Sequence, residues 1–280
     1  MFSIKLYAKP RCAFTAPIAD FYRHLGLTAD LSPHARGFQK SFTYLAGAGS
    51  HYNHEPQLSS DIPRLPSLVG TGLWMEDSRH LDRTKDLPAD FYSSRTFTDK
   101  LLGFLSDRTQ QDKEQPFLAC LTYTSPHWPL QAPKEVIAKY KGMYDGGPEV
   151  LRQQRLAKLR ELGLISGDIT PAPVIDMGTA PWEELTADKK AKSSRAMEIF
   201  AAMVDEMDVQ IGRVLEYLRE TDELDNTFVL FMSDNGAEGQ VLEAFPVLNG
   251  VSMADVIERY YDNSLENMGS ATSYVWYGPR

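Results

Sequence analysis

The chain has 280 residues, 42% of them hydrophobic and 24% charged, which suits one large α/β domain or two small ones. A net charge of −9 argues against a general nucleic-acid binder, whose affinity rests on neutralising phosphates. No apolar stretch approaches the roughly 20 residues that cross a bilayer. Residues 1–10 carry no signal-peptide core, which leans toward the cytoplasm without fixing the compartment.

Residues 1–20 show no clear periodicity, and Cys12 has no evident partner. Residues 20–66 are rich in His, Gly, Ser and Pro and read as ordered loop. Within them His51 and His54 stand three apart, as metal ligands can, but no third ligand is apparent for the four that zinc prefers. Residues 99–106 read as helix, with Phe97, Leu101, Leu102 and Leu105 on one side. The run 117–123 reads as a buried strand holding Cys120 as a small hydrophobe, and it ends in Thr124-Ser-Pro-His-Trp128. A short helix is expected over 134–140 and a surface excursion over 141–190. Met197, Phe200, Ala201, Val204, Met207, Ile211, Val214, Leu215 and Leu218 recur every three or four residues, predicting a long amphipathic helix. Asp205, Glu206 and Asp208 are assigned to its solvated face. The apolar run 227–232 predicts a strand buried on both faces, broken by Ser233-Asp-Asn-Gly236. The aromatic stretch 273–280 stops abruptly, as if truncated, and is expected to be exposed.

Strand, long helix, strand, with polar residues closing both strands, predicts a doubly wound α/β arrangement, whose ligands bind at the carboxyl ends of the strands. Two features there carry chemistry. Asp234 and Asn235 offer hard oxygen ligands suited to Ca²⁺ or Mg²⁺, although Asp-Asn-Gly is equally the composition of a plain turn. His127 can donate to an anion or shuttle a proton, and the prolines on either side stiffen its mount.

Residues 117–133, the helix 197–218 and Phe228-Val-Leu-Phe-Met-Ser-Asp-Asn-Gly-Ala-Glu238 together resemble the arylsulfatases, of the alkaline-phosphatase-like sulfatase family. His24-Leu-Gly-Leu-Thr, Ser32-Pro-His-Ala-Arg-Gly-Phe38 and Gly47-Ala-Gly-Ser-His-Tyr52 resemble the stretch around that family's Gly-Lys-Trp-His-Leu-Gly motif. Tyr274-Val-Trp-Tyr-Gly-Pro279 is similar to a segment downstream of its metal pair. The resemblance implies an alkaline-phosphatase-like mixed or parallel sheet flanked by helices, incomplete here. Residues 1–20 form a non-matching segment and 21–280 a partial catalytic domain. The implied reaction is hydrolysis of a small-molecule sulfate ester by a hydrated formylglycine beside Ca²⁺, with neither nucleic acid nor membrane as partner. By that resemblance Asp234 and Asn235 are metal ligands. His127 lies near the sulfate and the leaving oxygen, and His24 contacts the formylglycine diol.

The chain departs from the family pattern where the covalent step is made. No Cys/Ser-x-Pro-x-Arg motif and no Asp-Asp pair occurs, and Tyr22 stands where the Gly-Lys-Trp-His-Leu-Gly lysine would be. Ca²⁺ takes about six to eight oxygens, of which Asp234 and Asn235 supply two or three. No turnover by this chain alone is therefore expected. Residues 1–20 do not look like the family's first, central strand, so marginal stability is expected too. Three readings remain: part of an active sulfatase, a non-catalytic relative that binds anionic ligands, or a scaffold that binds partners through its aromatic end. A phosphoryl-transferring enzyme of the same superfold is a further alternative.

Overall fold

The computed structural model describes residues 2–8, 28–45, 49–56, 74–172, 180–233, 236 and 252–276, the first of these as backbone. Two three-stranded sheets and six helices make up the regular structure of those residues. The first sheet holds β1 (Phe2–Ala8) between β5 (Leu118–Thr122) and β6 (Thr227–Ser233). Strand β1 is antiparallel to both neighbours, with Ser3 opposite Thr122 and Phe2 opposite Ser233. It follows that β5 and β6 run parallel to each other on either side of β1. The opening residues, which lack the look of a central strand, occupy the central position after all. Their alternation of Phe2, Ile4 and Leu6 with Ser3 and Lys5 has the period of a strand, but it spans too few residues to stand out.

The expectation of loop over 20–66 is corrected in part. Between two short 3₁₀ turns and the site lies β2 (Phe42–Tyr44), antiparallel to β3 (Trp74–Glu76), which pairs in turn with β4 (Arg79–Leu81). Three-residue strands fall below any periodicity test, and aromatic packing holds this small sheet. Trp74 lies with its ring centroid 4.7 Å from Tyr44, 5.4 Å from Phe42 and 5.1 Å from Phe91. Those rings join α1 (Ser93–Ser106) and the long α5 (Ala187–Glu220) in the main core through Phe97, Leu101, Leu105, Met207, Val214 and Leu218.

A second core lies where α5 meets α3 (Lys134–Ile137) and the segment after β5. Val136, Ile137, Ile199, Ala202 and Met203 are buried there with Leu130. Helix α5 thus buries Ile199, Ala202 and Met203 beside the Met207–Val214–Leu218 line, while Phe200, Val204 and Ile211 are half-buried. The helix is wrapped on more than one side, so its buried stripe is broader than a one-sided amphipathic pattern. Glu206 corrects the assignment of the acidic residues to solvent. It is 4% exposed and takes a bidentate pair from Arg95 at 2.7 and 2.9 Å, with Gln210 donating at 2.8 Å. Asp208 is exposed, and Asp205 pairs with Lys139 at 2.8 Å.

The excursion holds one helix of its own, α4 (Gly147–Glu161), after the short α2 (Gln110–Lys113) and α3 in chain order. Helix α4 is exposed along most of its length. Strand β6 is also corrected: Phe228, Phe231 and Met232 are exposed, as fits the end strand of the order β5-β1-β6 rather than a strand buried on both faces. Cys120 is buried. A capping box of Ser252 and Asp255 starts α6 (Met253–Tyr260). Among the described residues no helix is long and apolar enough to cross a membrane.

Candidate functional site

The register around β1 brings two strand ends to one edge of the sheet. Thr122 ends β5 opposite Ser3, and Ser233 ends β6 opposite Phe2. Two inter-strand spacings separate them, about 10 Å. The segment bearing His127 leaves the first of these ends, and the polypeptide reaches Asp234 and Asn235 directly from the second. Asp234 and Asn235 themselves, and His24, lie outside the described residues.

His127 sits in a run from Ala119 to Pro133 in which every residue is buried. A buried non-regular segment must find partners for its backbone groups. The His127 amide donates to the Thr124 carbonyl at 2.9 Å, closing a turn, and both Ser125-Pro126 and Trp128-Pro129 are cis. Further along, the Leu130 amide donates to Val275 at 2.8 Å and the Ala132 amide to Gly269 at 3.0 Å. His127 is 7% exposed, and its Nδ1 lies 2.7 Å from the Trp128 carbonyl. A carbonyl only accepts, so Nδ1 carries the proton and the neutral ring has its lone pair on Nε2. Uncharged, that nitrogen is a base. Protonated, it is a donor to an anion or a leaving oxygen.

Sequence reasoning gave neither His51 nor Gln131 a part in holding this segment. His51, 1% exposed, has its Nε2 3.0 Å from the His127 carbonyl and its Nδ1 2.7 Å from Ser93 Oγ. Its Nε2 therefore bears the hydrogen, and its Nδ1 accepts from the Ser93 hydroxyl, which accepts in turn from Thr124 at 3.2 Å. The His51 carbonyl accepts the Ser93 amide at 2.8 Å, satisfying one of the open N–H groups at the start of α1. Gln131, fully buried, accepts from the His51 amide at 2.8 Å and the Ser50 hydroxyl at 3.2 Å. Its amide nitrogen donates to the Ser273 carbonyl at 2.8 Å and to Ala271 at 3.3 Å. A polar side chain inside Trp128-Pro-Leu-Gln-Ala-Pro was the available signal, because an isolated amide in an apolar run needs buried partners. With both ring nitrogens of His51 engaged, a metal pair with His54 is ruled out. The His54 ring instead meets Tyr261 edge-on at 6.1 Å.

An aromatic wall flanks the segment. Trp128 lies 4.6 Å from the His127 ring and 4.2 Å from Trp276, and Tyr274 packs on Tyr261 at 5.0 Å. Tyr274 and Trp276 are 4% and 8% exposed, so in its described part the aromatic end is core and not a free docking surface.

The sulfatase family model matches residues 19–262. The chain belongs to the sulfatase family. An uncharacterized sulfatase of Schizosaccharomyces pombe is 49% identical over 259 residues, covering 92% of this chain and 44% of that protein. An arylsulfatase of Klebsiella aerogenes is 35% identical over 264 residues, 91% of this chain and 51% of the relative. A multifunctional alkaline phosphatase superfamily protein of Trinickia caryophylli is 24% identical over 246 residues, 82% of this chain and 41% of its own length. This sulfatase-family chain thus spans about half the length of the curated relatives it matches, and its fold is of the alkaline-phosphatase-like α/β class.

Sulfatases use a divalent metal. Among the described residues of this sulfatase, no three or more His, Cys, Asp or Glu side chains come together to hold one. Electrostatics single out His51 and Glu55. Burial lowers the His51 pKa to about 4, and the bond to the His127 carbonyl offsets this in part. Burial raises the Glu55 carboxyl above its ordinary value, against the Arg83 charge and the bonds from Tyr44 and Ser50. The signs oppose. The unfolded chain protonates His51 near pH 6.5 and the folded one near 4, so this group's contribution is complete above 6.5 and is lost as pH falls to 4, about 3 kcal/mol in all. Glu55 favours the fold at low pH and weakens it as pH rises. Urea midpoints at pH 7.0, 5.5 and 4.5 should therefore fall more steeply for the native chain than for His51→Gln. Equal slopes would mean His51 titrates normally.

Proposed function

We propose that this chain carries one side of a sulfate-ester site, in which His127 faces the sulfate group and the leaving oxygen. The supporting observation is the fixed His127 tautomer in a fully buried segment at the carboxyl end of β5, beside the strand end that leads to Asp234 and Asn235. Protonated on Nε2, His127 would stabilise the anion and give its proton to the departing alkoxide. His24 and the Asp234–Asn235 pair would complete the site, the pair as Ca²⁺ ligands. The cation would supply charge that offsets the anionic substrate. The reaction of the complete site is hydrolysis of a small-molecule sulfate ester, an aryl sulfate by analogy with the Klebsiella aerogenes relative. With no Cys/Ser-x-Pro-x-Arg motif, this chain has no formylglycine of its own, so its part is binding and proton transfer.

Titration with sodium sulfate, with and without calcium chloride, tests this through the ¹⁵N signals of the labelled histidines. A saturable shift of the His127 ring is expected, weakened about tenfold or more in His127→Ala when binding is followed calorimetrically. Release of nitrophenol from nitrophenyl sulfate should remain at background. A His127 signal indifferent to sulfate would sink the proposal.

A further inference from the structure

We infer that His51 is a positioning residue for His127: its Nε2–H holds the His127 carbonyl and thereby sets the direction in which the His127 imidazole presents Nε2. The inference rests on the reading of His127 as the sulfate-facing group, and it adds the device that aims it.

The geometry has three links. The His51 Nε2–H donates to the carbonyl of His127, 3.0 Å away and 76 residues on in sequence. That bond fixes the peptide plane between His127 and Trp128. The His127 ring closes back on the next carbonyl, with Nδ1 donating to Trp128 at 2.7 Å, so its tautomer and tilt depend on how that plane is set. A ring fixed this way by a second group is how proteins choose which imidazole nitrogen does the chemistry.

His51 is itself clamped from four sides. Its carbonyl and Nδ1 take the amide and hydroxyl of Ser93 at 2.8 and 2.7 Å, its amide goes to Gln131 at 2.8 Å, and its ring faces Tyr92 at 6.3 Å. The His127 carbonyl only accepts and so leaves one tautomer, with hydrogen on Nε2, while Nδ1 accepts from the Ser93 hydroxyl that Thr124 supports. Thr124 also lies in the turn that ends at His127, so the chain of bonds starts and ends on the segment it orients. Ser93 beside His51 has the spacing of a nucleophile and its base. Both lie among the bonds that hold the His127 segment, and the pair is a support rather than a second reaction centre.

His51→Leu and His51→Gln separate aim from mere packing. Glutamine can place an N–H near the position of Nε2, while leucine fills the space without a donor. In sulfate-free protein labelled on histidine nitrogens, the native chain should show His127 as a single tautomer protonated on Nδ1, assigned by its loss in His127→Gln. His51→Leu should average the two ring nitrogen shifts of His127 and weaken sulfate binding about tenfold, and His51→Gln should restore both to within about threefold. If His51→Leu fails to fold, Ser93→Ala serves instead. It removes the hydroxyl that orients the His51 ring through Nδ1, leaving the longer Thr124 contact at 3.4 Å, and should blur the His127 signature. A native His127 spectrum in His51→Leu or Ser93→Ala overturns the inference, as does equal loss in the Leu and Gln variants. Because the spectrum is read without sulfate, failure of the sulfate proposal leaves this test intact.

Discussion

Gln131→Leu is expected to lower the stability of the protein by about 4 kcal/mol, read as a fall in urea midpoint at unchanged slope. Leucine keeps the volume and removes all the polarity. The His51 amide and the Ser273 and Ala271 carbonyls then lose the partner that Gln131 provides, in a place where no part of the Gln131 side chain reaches solvent. Each buried group left without a bond costs about 1–3 kcal/mol. The Ser50 hydroxyl loses the acceptor of its hydrogen, while its oxygen keeps the Tyr52 and His54 amides at 3.2 and 3.0 Å. Gln131→Glu adds a sign test. A buried carboxylate would face two carbonyls, and only its protonated form can donate, so this variant should gain stability relative to native as pH falls. A loss below about 1 kcal/mol in Gln131→Leu would mean that these four bonds do not persist in solution.

The second large effect is expected at Gly269, for which alanine should cost about 3 kcal/mol. Its φ of +94° lies where a side chain strains the backbone. An added Cβ would also stand 2.6 Å from Ile137 Cδ1 and 3.0 Å from Ile199 Cγ1, and both residues are buried in the α3–α5 core. Neither isoleucine can retreat without opening a gap elsewhere. The Gly269 carbonyl accepts the Ala132 amide, so the damage should reach the segment after His127. Gly103→Ala is the matched control. It lies within α1 with nothing within 4 Å of the new atom, and should be neutral or gain up to about 1 kcal/mol. Thermal melts that put the two variants within 1 °C of each other would refute this account of Gly269.

How far the sequence could be read depends on the length scale of each signal. Helix α5 repeats its apolar residues over many turns, and the β5 and β6 runs are continuous, so their existence and type were legible. Motif resemblance in the regions of His127 and Asp234 pointed to the sulfatase family. Burial was harder to read. Glu206 looks like surface from its neighbours Asp205 and Asp208, because nothing local announces Arg95, 111 residues away. Phe228 and Phe231 look like core, because the strand's position in the sheet is set by β1 and not by its own composition. His51 shows the same limit at the site. Three apart from His54 it suggested a metal pair, whereas its actual partners, Ser93 and His127, come from 42 and 76 residues downstream.

The place of β1 has a consequence for the order of assembly. Its partners end at Thr122 and Ser233, so β1 must wait for more than a hundred later residues on one side and more than two hundred on the other. Contacts so distant in sequence form late and slow the approach to the native state. The small β2–β3–β4 sheet, whose members lie between Phe42 and Leu81, can close while much of the polypeptide is still emerging. The site edge, built on β5 and β6, therefore completes last, and until then the apolar flanks of both strands stand open to chaperones and to wrong partners.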